Sequence, residues 1–173
     1  MPFFEANGIT FHFADDNNDR IPFVFQHGLG ADISQPMSFF GEDRPFRLIS
    51  MDCRGHGKTV PLGDPQFLRF NSLTDDITNL LDYLNLSKVV IGGISMGASW
   101  KKIDFPTLVL ACRNDLLHPF EYGQVLAREI PGARFAEITA KAISEQKHVE
   151  DVRREILQFI GEIDLNSSRF GGP

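Results

Sequence analysis

The sequence predicts an α/β fold in which helices cover both faces of a mostly parallel sheet. Three observations support this fold class. Short apolar runs alternate along the chain with segments of helical periodicity, as in strands joined by helical crossovers. The runs are nearly continuous in apolar residues, which is typical of strands buried on both faces. The chain has 173 residues, of which 42% are hydrophobic and 23% charged, so it is long enough to bury one ordinary core.

The predicted strands begin close to the N-terminus. Two short strands, at residues 3–5 and 9–13, flank the Asn7-Gly8 pair, which favours a tight hairpin turn. Further strands are predicted at residues 22–26, 46–51, 88–91, 107–111 and 134–139. Several of these runs end in glycine or polar residues, and in parallel sheets functional groups gather at the carboxyl ends of the strands.

Three helices fit between and after these strands. Residues 72–84 carry apolar side chains at helical spacing and begin at Ser72, which can cap a helix. Residues 120–130 form a second helix that a Pro-Gly pair ends. Residues 149–163 form a third, whose apolar positions fall on one face.

We expect this pattern to form one domain, which covers residues 1–165. The remaining residues, 166–173, are polar and rich in glycine, so they are predicted to form a flexible tail. The sequence shows no internal repeat and no low-complexity segment.

The charge and composition argue against several kinds of partner. The net charge is −6, which offers no basic surface for nucleic acid or for an anionic membrane. No run of 18 apolar residues predicts a membrane span, and no basic segment with a long apolar run predicts a signal peptide. The two cysteines, Cys53 and Cys112, are too few for a disulfide framework, so we expect reduced thiols. The sequence therefore predicts a cytoplasmic protein that acts on a small molecule.

Ser95 is the candidate nucleophile. It lies at the centre of residues 93–97 (GISMG), directly after an apolar strand. In a G-x-S-x-G turn the serine sits on a strained connection between strand and helix, and the glycines let the backbone pass closely. The alternative is an ordinary glycine turn with a bystander serine.

A serine hydroxyl needs a general base, and His148 is the candidate. His148 lies in the polar stretch that precedes the last predicted helix, where a loop could lean over the serine. The other four histidines lie in the N-terminal strand, in two glycine-containing loops and before a proline. The alternative for His148 is a surface histidine at the start of a helix.

Asp115 is the candidate carboxylate that orients the base and stabilises its charged form. It follows the strand predicted at residues 107–111, and the order Ser95, Asp115, His148 matches a known triad order. The alternative for Asp115 is a turn aspartate.

The oxyanion of an acyl-transfer intermediate needs N–H donors that are already in place. The N–H of Met96, directly after the serine, is one candidate. The N–H of Leu29 is the other, since glycines on both sides let that backbone approach a substrate. The alternative for this segment is an ordinary flexible loop.

In their joint order these pieces resemble the α/β-hydrolase family, and in particular its serine esterases and lactonases. The matching segments are residues 27–30 (HGLG), 52–57 (DCRGHG), 93–97 (GISMG), 113–115 (RND) and His148. The resemblance extends from about residue 9 to residue 163. It implies that Ser95 attacks, that His148 transfers the proton, that Asp115 orients it, and that no metal or organic cofactor takes part. It also implies that residues 54–57 form a mainly structural turn.

One segment departs from the family pattern. Family members usually continue the helix after the nucleophile, add another strand and then insert a helical cap. Here only 11 residues, 96–106, join two predicted parallel strands, which is close to the minimum for a crossover. The sequence thus resembles a hydrolase core without its cap, either a natural minimal form, an engineered deletion or a chain whose middle is missing. Apolar surface exposed in this way would favour a homodimer or aggregation.

We therefore expect a serine hydrolase that cleaves a carboxylic ester or a related acyl bond through an acyl-serine intermediate. Two alternatives stay open. In one, the chain is a catalytically inactive remnant or a binding module. In the other, the same triad carries out perhydrolysis, C–C bond hydrolysis or lactone opening.

Overall fold

The computed structural model describes residues 2–63, 70–95, 106–115 and 117–165. The chain divides into two compact units, Met1–Lys101 and Lys102–Pro173. The described part of the first contains a five-stranded sheet, and that of the second contains a two-stranded sheet. The assignment of residues 1–165 to one domain stays a prediction. The short junction predicted at residues 96–106 and the tail at 166–173 lie, apart from residue 106, outside the described residues.

The first unit has the predicted mixture of strands and helices. Its elements are β1 (Phe3–Ala6), β2 (Ile9–Asp15), β3 (Pro22–Gln26), α1 (Ser34–Phe40), β4 (Arg47–Met51), α2 (Phe70–Tyr83) and β5 (Val90–Gly93). The strand order is β1-β2-β4-β3-β5. Strand β3 pairs in parallel with β4 and β5, whereas β2 is antiparallel to both β1 and β4. The parallel centre is confirmed, and an antiparallel pair of strands forms the N-terminal edge.

Helices cover both faces of this sheet, as predicted. Val24 of β3 belongs to the same buried cluster as Leu80 of α2. The neighbouring residues Phe23 and Phe25 instead contact Phe40 of α1, with ring centroids 5.5 and 5.4 Å away. Because successive side chains of a strand point to opposite faces, α1 and α2 lie on opposite sides of the sheet.

Helix α1 was not predicted from the sequence. It has seven residues, too few to show helical periodicity, and Pro36 is in its first turn, where a proline costs no helical hydrogen bond. Phe39 and Phe40 are buried, so tertiary packing stabilises the helix. Gly41, at φ +65°, ends it.

The second unit is built from four elements, namely β6 (Leu108–Ala111), α3 (Phe120–Glu129), β7 (Arg134–Glu137) and α4 (Glu145–Leu165). Strands β6 and β7 are parallel. Helix α3 lies directly on β6, because a Cβ added at Gly123 would be 2.7 Å from the Cβ of Ala111. Arg134 of β7 forms ion pairs with Glu155 and Glu162 of α4. Among the described helices, none is both long and apolar enough to cross a membrane.

The carboxylate of Asp52 holds together the loops that follow β3 and β4. Its Oδ1 accepts the N–H of Ile33 at 2.9 Å, and its Oδ2 accepts the N–H of Lys58 at 2.9 Å. Oδ2 also lies 2.7 Å from Nδ1 of His12 in β2. Asp52 is only 1% exposed, and a buried carboxylate needs such a set of donors. One side chain therefore fixes segments from three parts of the unit.

The turn at residues 54–57 makes structural contacts, as the resemblance implied. Arg54 is buried and binds Asp76 of α2 in a bidentate manner, at 2.6 and 2.5 Å. His56 accepts the N–H of Gly30 at its Nε2, 3.2 Å away. The turn is thereby tied both to α2 and to the loop after β3.

His27 joins the same two loops as a neutral imidazole. Its Nε2 accepts the N–H of Cys53 at 3.0 Å, and its Nδ1 donates to the carbonyl of Gly28 at 2.8 Å. Burial lowers the pKa of His27, and the neighbouring His56 lowers it further, whereas the bond to Gly28 offsets part of the change. Protonation would replace the Nε2 acceptor with a donor that faces another donor.

We predict that Gly57→Ala destabilises the protein by about 2 to 4 kcal/mol. Gly57 has φ +51°, and an added Cβ would lie 2.0 Å from Oδ2 of Asp52, so the carboxylate and its donors would have to move. The measurement is urea unfolding. Gly8→Ala is the matched control, because Gly8 has φ +73° but no heavy atom within 4 Å of an added Cβ. Equal losses in the two variants would contradict the importance of the Asp52 contact.

We also predict that the free energy of unfolding falls as the pH drops below about 6.5. Because the folded state lowers the pKa of His27, the unfolded chain binds more protons in this range. Stability is therefore greatest above pH 6.5 and decreases towards the folded-state pKa, with a slope of at most about 1.4 kcal/mol per pH unit for this group. His27→Gln should reduce the slope, because a glutamine side chain does not titrate in this range. An unaltered slope in His27→Gln would contradict the assignment.

Candidate active site

Ser95 lies on a strained turn immediately after β5. The N–H of Ile94 donates to the carbonyl of Gln26 at 3.1 Å, which continues the alignment of β5 with β3. Ser95 itself has φ +53°, a left-handed conformation that costs a non-glycine residue about 1 to 2 kcal/mol, and it is exposed. The strained and exposed serine predicted from the GISMG segment is confirmed in these respects.

The loop after β3 passes directly beside this turn. A Cβ added at Gly28 would lie 3.4 Å from the carbonyl oxygen of Ile94 and 3.6 Å from the Cβ of Ser95. The absence of a side chain at Gly28 therefore keeps the space next to the serine clear. The first unit thus brings Ser95 together with the loop that contains Leu29.

Within that loop, the amide of Leu29 differs from its neighbours. The N–H of Gly28 donates to Oε1 of Gln35 at 2.9 Å, and the N–H of Gly30 donates to His56. None of the described acceptors binds the N–H of Leu29, and the residue is 77% exposed. This pattern suits an oxyanion donor. The second predicted donor, Met96, lies outside the described residues.

His148 lies within a helix, so the prediction that it precedes the last helix in a loop was wrong. Helix α4 begins at Glu145, and the N–H of His148 donates to the carbonyl of Ser144 at 3.0 Å, as in a helical turn. The half-buried ring has its Nδ1 2.8 Å from the carbonyl oxygen of Thr139. A carbonyl oxygen only accepts, so Nδ1 carries the proton and Nε2 is the acceptor of the neutral ring.

Asp115 makes the contacts of a turn aspartate, the alternative that the sequence left open. Its Oδ1 accepts the N–H groups of Leu117 and His118 at 2.8 and 3.1 Å, and its Oδ2 lies 3.2 Å from Nδ1 of His118. Partial burial raises the pKa of Asp115, but these hydrogen bonds outweigh it and the net pKa is lowered. Its role as the group that orients His148 stays a prediction.

Thr139, whose carbonyl faces His148, and Asp151, which binds Thr139, were not predicted from the sequence as parts of the site. Oδ2 of Asp151 accepts both the N–H and the hydroxyl of Thr139, at 2.9 and 2.6 Å. The spacing of His148 and Asp151, three residues apart on a helix, was a usable signal, because such residues lie on the same face.

The described residues give less support to a cysteine nucleophile or to a metal site. Cys53 and Cys112 are free thiols, and both are buried. Burial raises the pKa of Cys53 to about 12 and also raises that of Cys112, so neither is an activated nucleophile. Within the described ranges, no three His, Cys, Asp or Glu side chains form a group that could hold a metal ion.

Comparisons with known proteins agree with this architecture. Residues 21–100 match the family described as alpha/beta hydrolase fold. The sn-1-specific diacylglycerol lipase ABHD11 of Danio rerio is 32% identical over 92 residues, which cover 51% of this chain and 28% of the lipase. The non-heme chloroperoxidase CPO-A1 of Kitasatospora aureofaciens is 34% identical over 93 residues, which cover 53% of this chain and 33% of that protein.

A solved structure extends the likeness to most of the chain. The enol-lactonase from Burkholderia xenovorans LB400 matches with a TM-score of 0.68 at 17% identity, and the match covers 96% of this chain and 100% of the lactonase. At that identity the match concerns the fold. The chain spans only about a third of the length of the curated relatives that it matches. Together these findings show that the chain has the α/β-hydrolase fold, and that its residues 21–100 match the family described by that fold.

Proposed function

We propose that this protein is a serine hydrolase that cleaves a carboxylic ester, or a related acyl bond, of a small molecule. The observation that carries the proposal is the position of Ser95, which is exposed, left-handed in backbone conformation and adjacent to Gly28. A serine held in this way, next to the loop whose Leu29 N–H is bound by none of the described acceptors, is the arrangement that acyl transfer requires. The names of the relatives, a lipase among them, support the same class of reaction.

In the proposed reaction, Oγ of Ser95 attacks the carbonyl carbon while Nε2 of His148 takes its proton. The N–H groups of Leu29 and Met96 bind the oxyanion. His148 then gives the proton to the leaving alcohol, and an acyl-serine remains. A water molecule, deprotonated by His148, attacks this ester, and His148 returns the proton to Ser95 Oγ as the bond to the acyl group breaks and the acid is released. The reaction requires no cofactor, but it requires His148 to come within about 3.2 Å of Ser95 Oγ, directly or through one water.

The acyl bond that is cleaved is not limited to simple esters. The relatives include a chloroperoxidase, and a protein with the same fold is an enol-lactonase. Lactone opening and perhydrolysis use the same nucleophile and oxyanion donors with a cyclic ester or with peroxide in place of water. We therefore propose lactone opening and perhydrolysis as the second candidate functions. The two free cysteines support a cytoplasmic location.

We predict that a fluorophosphonate probe labels the purified protein at one site and that Ser95→Ala abolishes the labelling. Phosphonylation needs an activated serine and a working oxyanion site, so it reports on both without knowledge of the substrate. The measurement is intact mass after incubation with the probe. Ser38→Ala is the matched control, because Ser38 is exposed on α1 and its hydroxyl donates to the carbonyl of Gln35 in the same helix.

The variants also separate activity from folding. Ser95→Ala should change the free energy of unfolding by less than about 1 kcal/mol, because the side chain is small and exposed. His148→Gln should slow labelling by a factor of about 10² to 10⁴. A folded wild-type protein that takes up no probe would favour the alternative of an inactive remnant or a binding module.

We further predict that one of three probe reactions dominates. The substrates are an activated aryl ester, a γ-lactone, and an aryl ester in the presence of hydrogen peroxide. Release of phenol, consumption of lactone and formation of peracid are the three measurements. Each should be lost in Ser95→Ala, and the reaction with the largest kcat/KM identifies the class. Turnover that persists in Ser95→Ala would contradict a common nucleophile.

A further inference from the structure

We infer that Thr139 and Asp151 are positioning residues for His148, in the place that the sequence assigned to Asp115. The carbonyl of Thr139 fixes the tautomer of His148, and Asp151 fixes Thr139. This inference rests on the proposed function only in so far as His148 is the general base, because the positioning itself is a property of the second unit.

The hydrogen bond at Nδ1 determines the tautomer of His148. The carbonyl oxygen of Thr139 lies 2.8 Å from Nδ1 of His148, which is a good hydrogen-bond distance. Because the carbonyl has no proton to give, the neutral ring must carry its hydrogen on Nδ1. Nε2 is then the lone-pair nitrogen, and this is the tautomer in which Nε2 can take a proton from a serine.

Thr139 is in turn held in place by a single carboxylate oxygen. Oδ2 of Asp151 accepts the main-chain N–H of Thr139 at 2.9 Å and its hydroxyl at 2.6 Å. Oδ1 accepts from Nη1 of Arg154 at 2.5 Å. Asp151 is 6% exposed, so its side chain has little freedom. The Thr139 hydroxyl, above all, lowers the pKa of Asp151 to about 2, and the acceptor is therefore ionised at neutral pH.

The residues that position His148 lie on α4 and on the segment that follows β7. His148 and Asp151 lie three residues apart on α4, so both face the end of β7. Ile138, which precedes Thr139, donates its N–H to the carbonyl of Ala111 at 2.9 Å and so ties the segment to β6. The orientation of His148 thus depends on contacts between α4 and the segment that follows β7 in the same unit.

The described contacts of Asp115 do not compete with this arrangement. Its carboxylate is bound by the N–H groups of Leu117 and His118 and by the ring of His118. Substitution of Asp151 and substitution of Asp115 should therefore affect His148 differently. If Asp151 acts through Thr139, its removal alters His148, whereas removal of the Asp115 charge does not.

The direct test is the tautomer of His148, measured by long-range ¹H–¹⁵N NMR on the full chain labelled with ¹⁵N-histidine. Spectra are recorded at about pH 9, well above the ordinary imidazole pKa of about 6.5. His148→Gln identifies the resonances. We expect Nδ1 of His148 to be the protonated nitrogen in the wild type and in Asp115→Asn. A mixture that includes the Nε2–H form is expected in Asp151→Ala.

A second pair of variants decides the question if Asp151→Ala fails to fold, as judged by circular dichroism. Thr139→Val removes the hydroxyl that donates to Asp151, and Thr139→Ser keeps it. We expect a partial change of tautomer in the valine variant and none in the serine variant. The inference is overturned if the wild-type ring is protonated mainly on Nε2, if Asp115→Asn shifts the tautomer, or if folded Asp151→Ala and Thr139→Val both match the wild type.

Kinetics provide the link to catalysis and separate the two proposals. Outer partners of functional histidines, as known from metal sites, typically contribute a factor of about 10 to 100. We expect Asp151→Ala to lower kcat by about this factor with little change in KM, because the base and not substrate binding is affected. If Ser95 takes up no probe, the proposed function fails, and yet the NMR result still decides whether Thr139 and Asp151 position His148.

Discussion

The first unit depends on the buried carboxylate of Asp52, whose charge must be matched by donors that the fold brings to it. Removal of one partner from a buried carboxylate destabilises a protein by several kcal/mol. The positions of its donors therefore depend on one another. Here they come from the backbone of Ile33 and Lys58 and from the ring of His12. The segment before α1 and the turn after β4 are consequently fixed at one point. The close approach of Gly28 to Ser95 relies on this fixed loop.

Much of the fold could be predicted from the sequence because its strands are buried on both faces. The run at residues 22–26 needed only its apolar content to be identified, and β3 has those bounds. The order β1-β2-β4-β3-β5 could not be predicted, since it results from contacts between distant segments. Helix α1 was missed for a related reason: its stability comes from Phe39 and Phe40 in the core, and its own sequence carries too weak a signal.

The parts of the candidate site that require unusual backbone conformations could be predicted from the sequence. Glycines around Ser95 and beside Leu29 signal close approach and unusual dihedral angles, and the structure shows both. The apolar positions predict a helix that begins at residue 149, whereas α4 begins at Glu145. The cap was visible, however, as Ser144, whose hydroxyl accepts the N–H of Lys147 at 3.2 Å. The carbonyl of Thr139 could not be inferred as the partner of His148, because a main-chain carbonyl leaves no trace in a sequence.

The strand order of the first unit has a consequence for the way the chain is made. All five strands of that sheet lie within the first 93 residues, so every one of their pairings is between residues already synthesised when β5 is complete. Chains emerge from the ribosome at about 5 to 20 residues per second, and N-terminal regions begin to fold first. The sheet that carries the serine turn can thus assemble while the histidine helix is still being translated. Nascent chains would then hold the formed turn of Ser95 before His148, the proposed general base, has been synthesised.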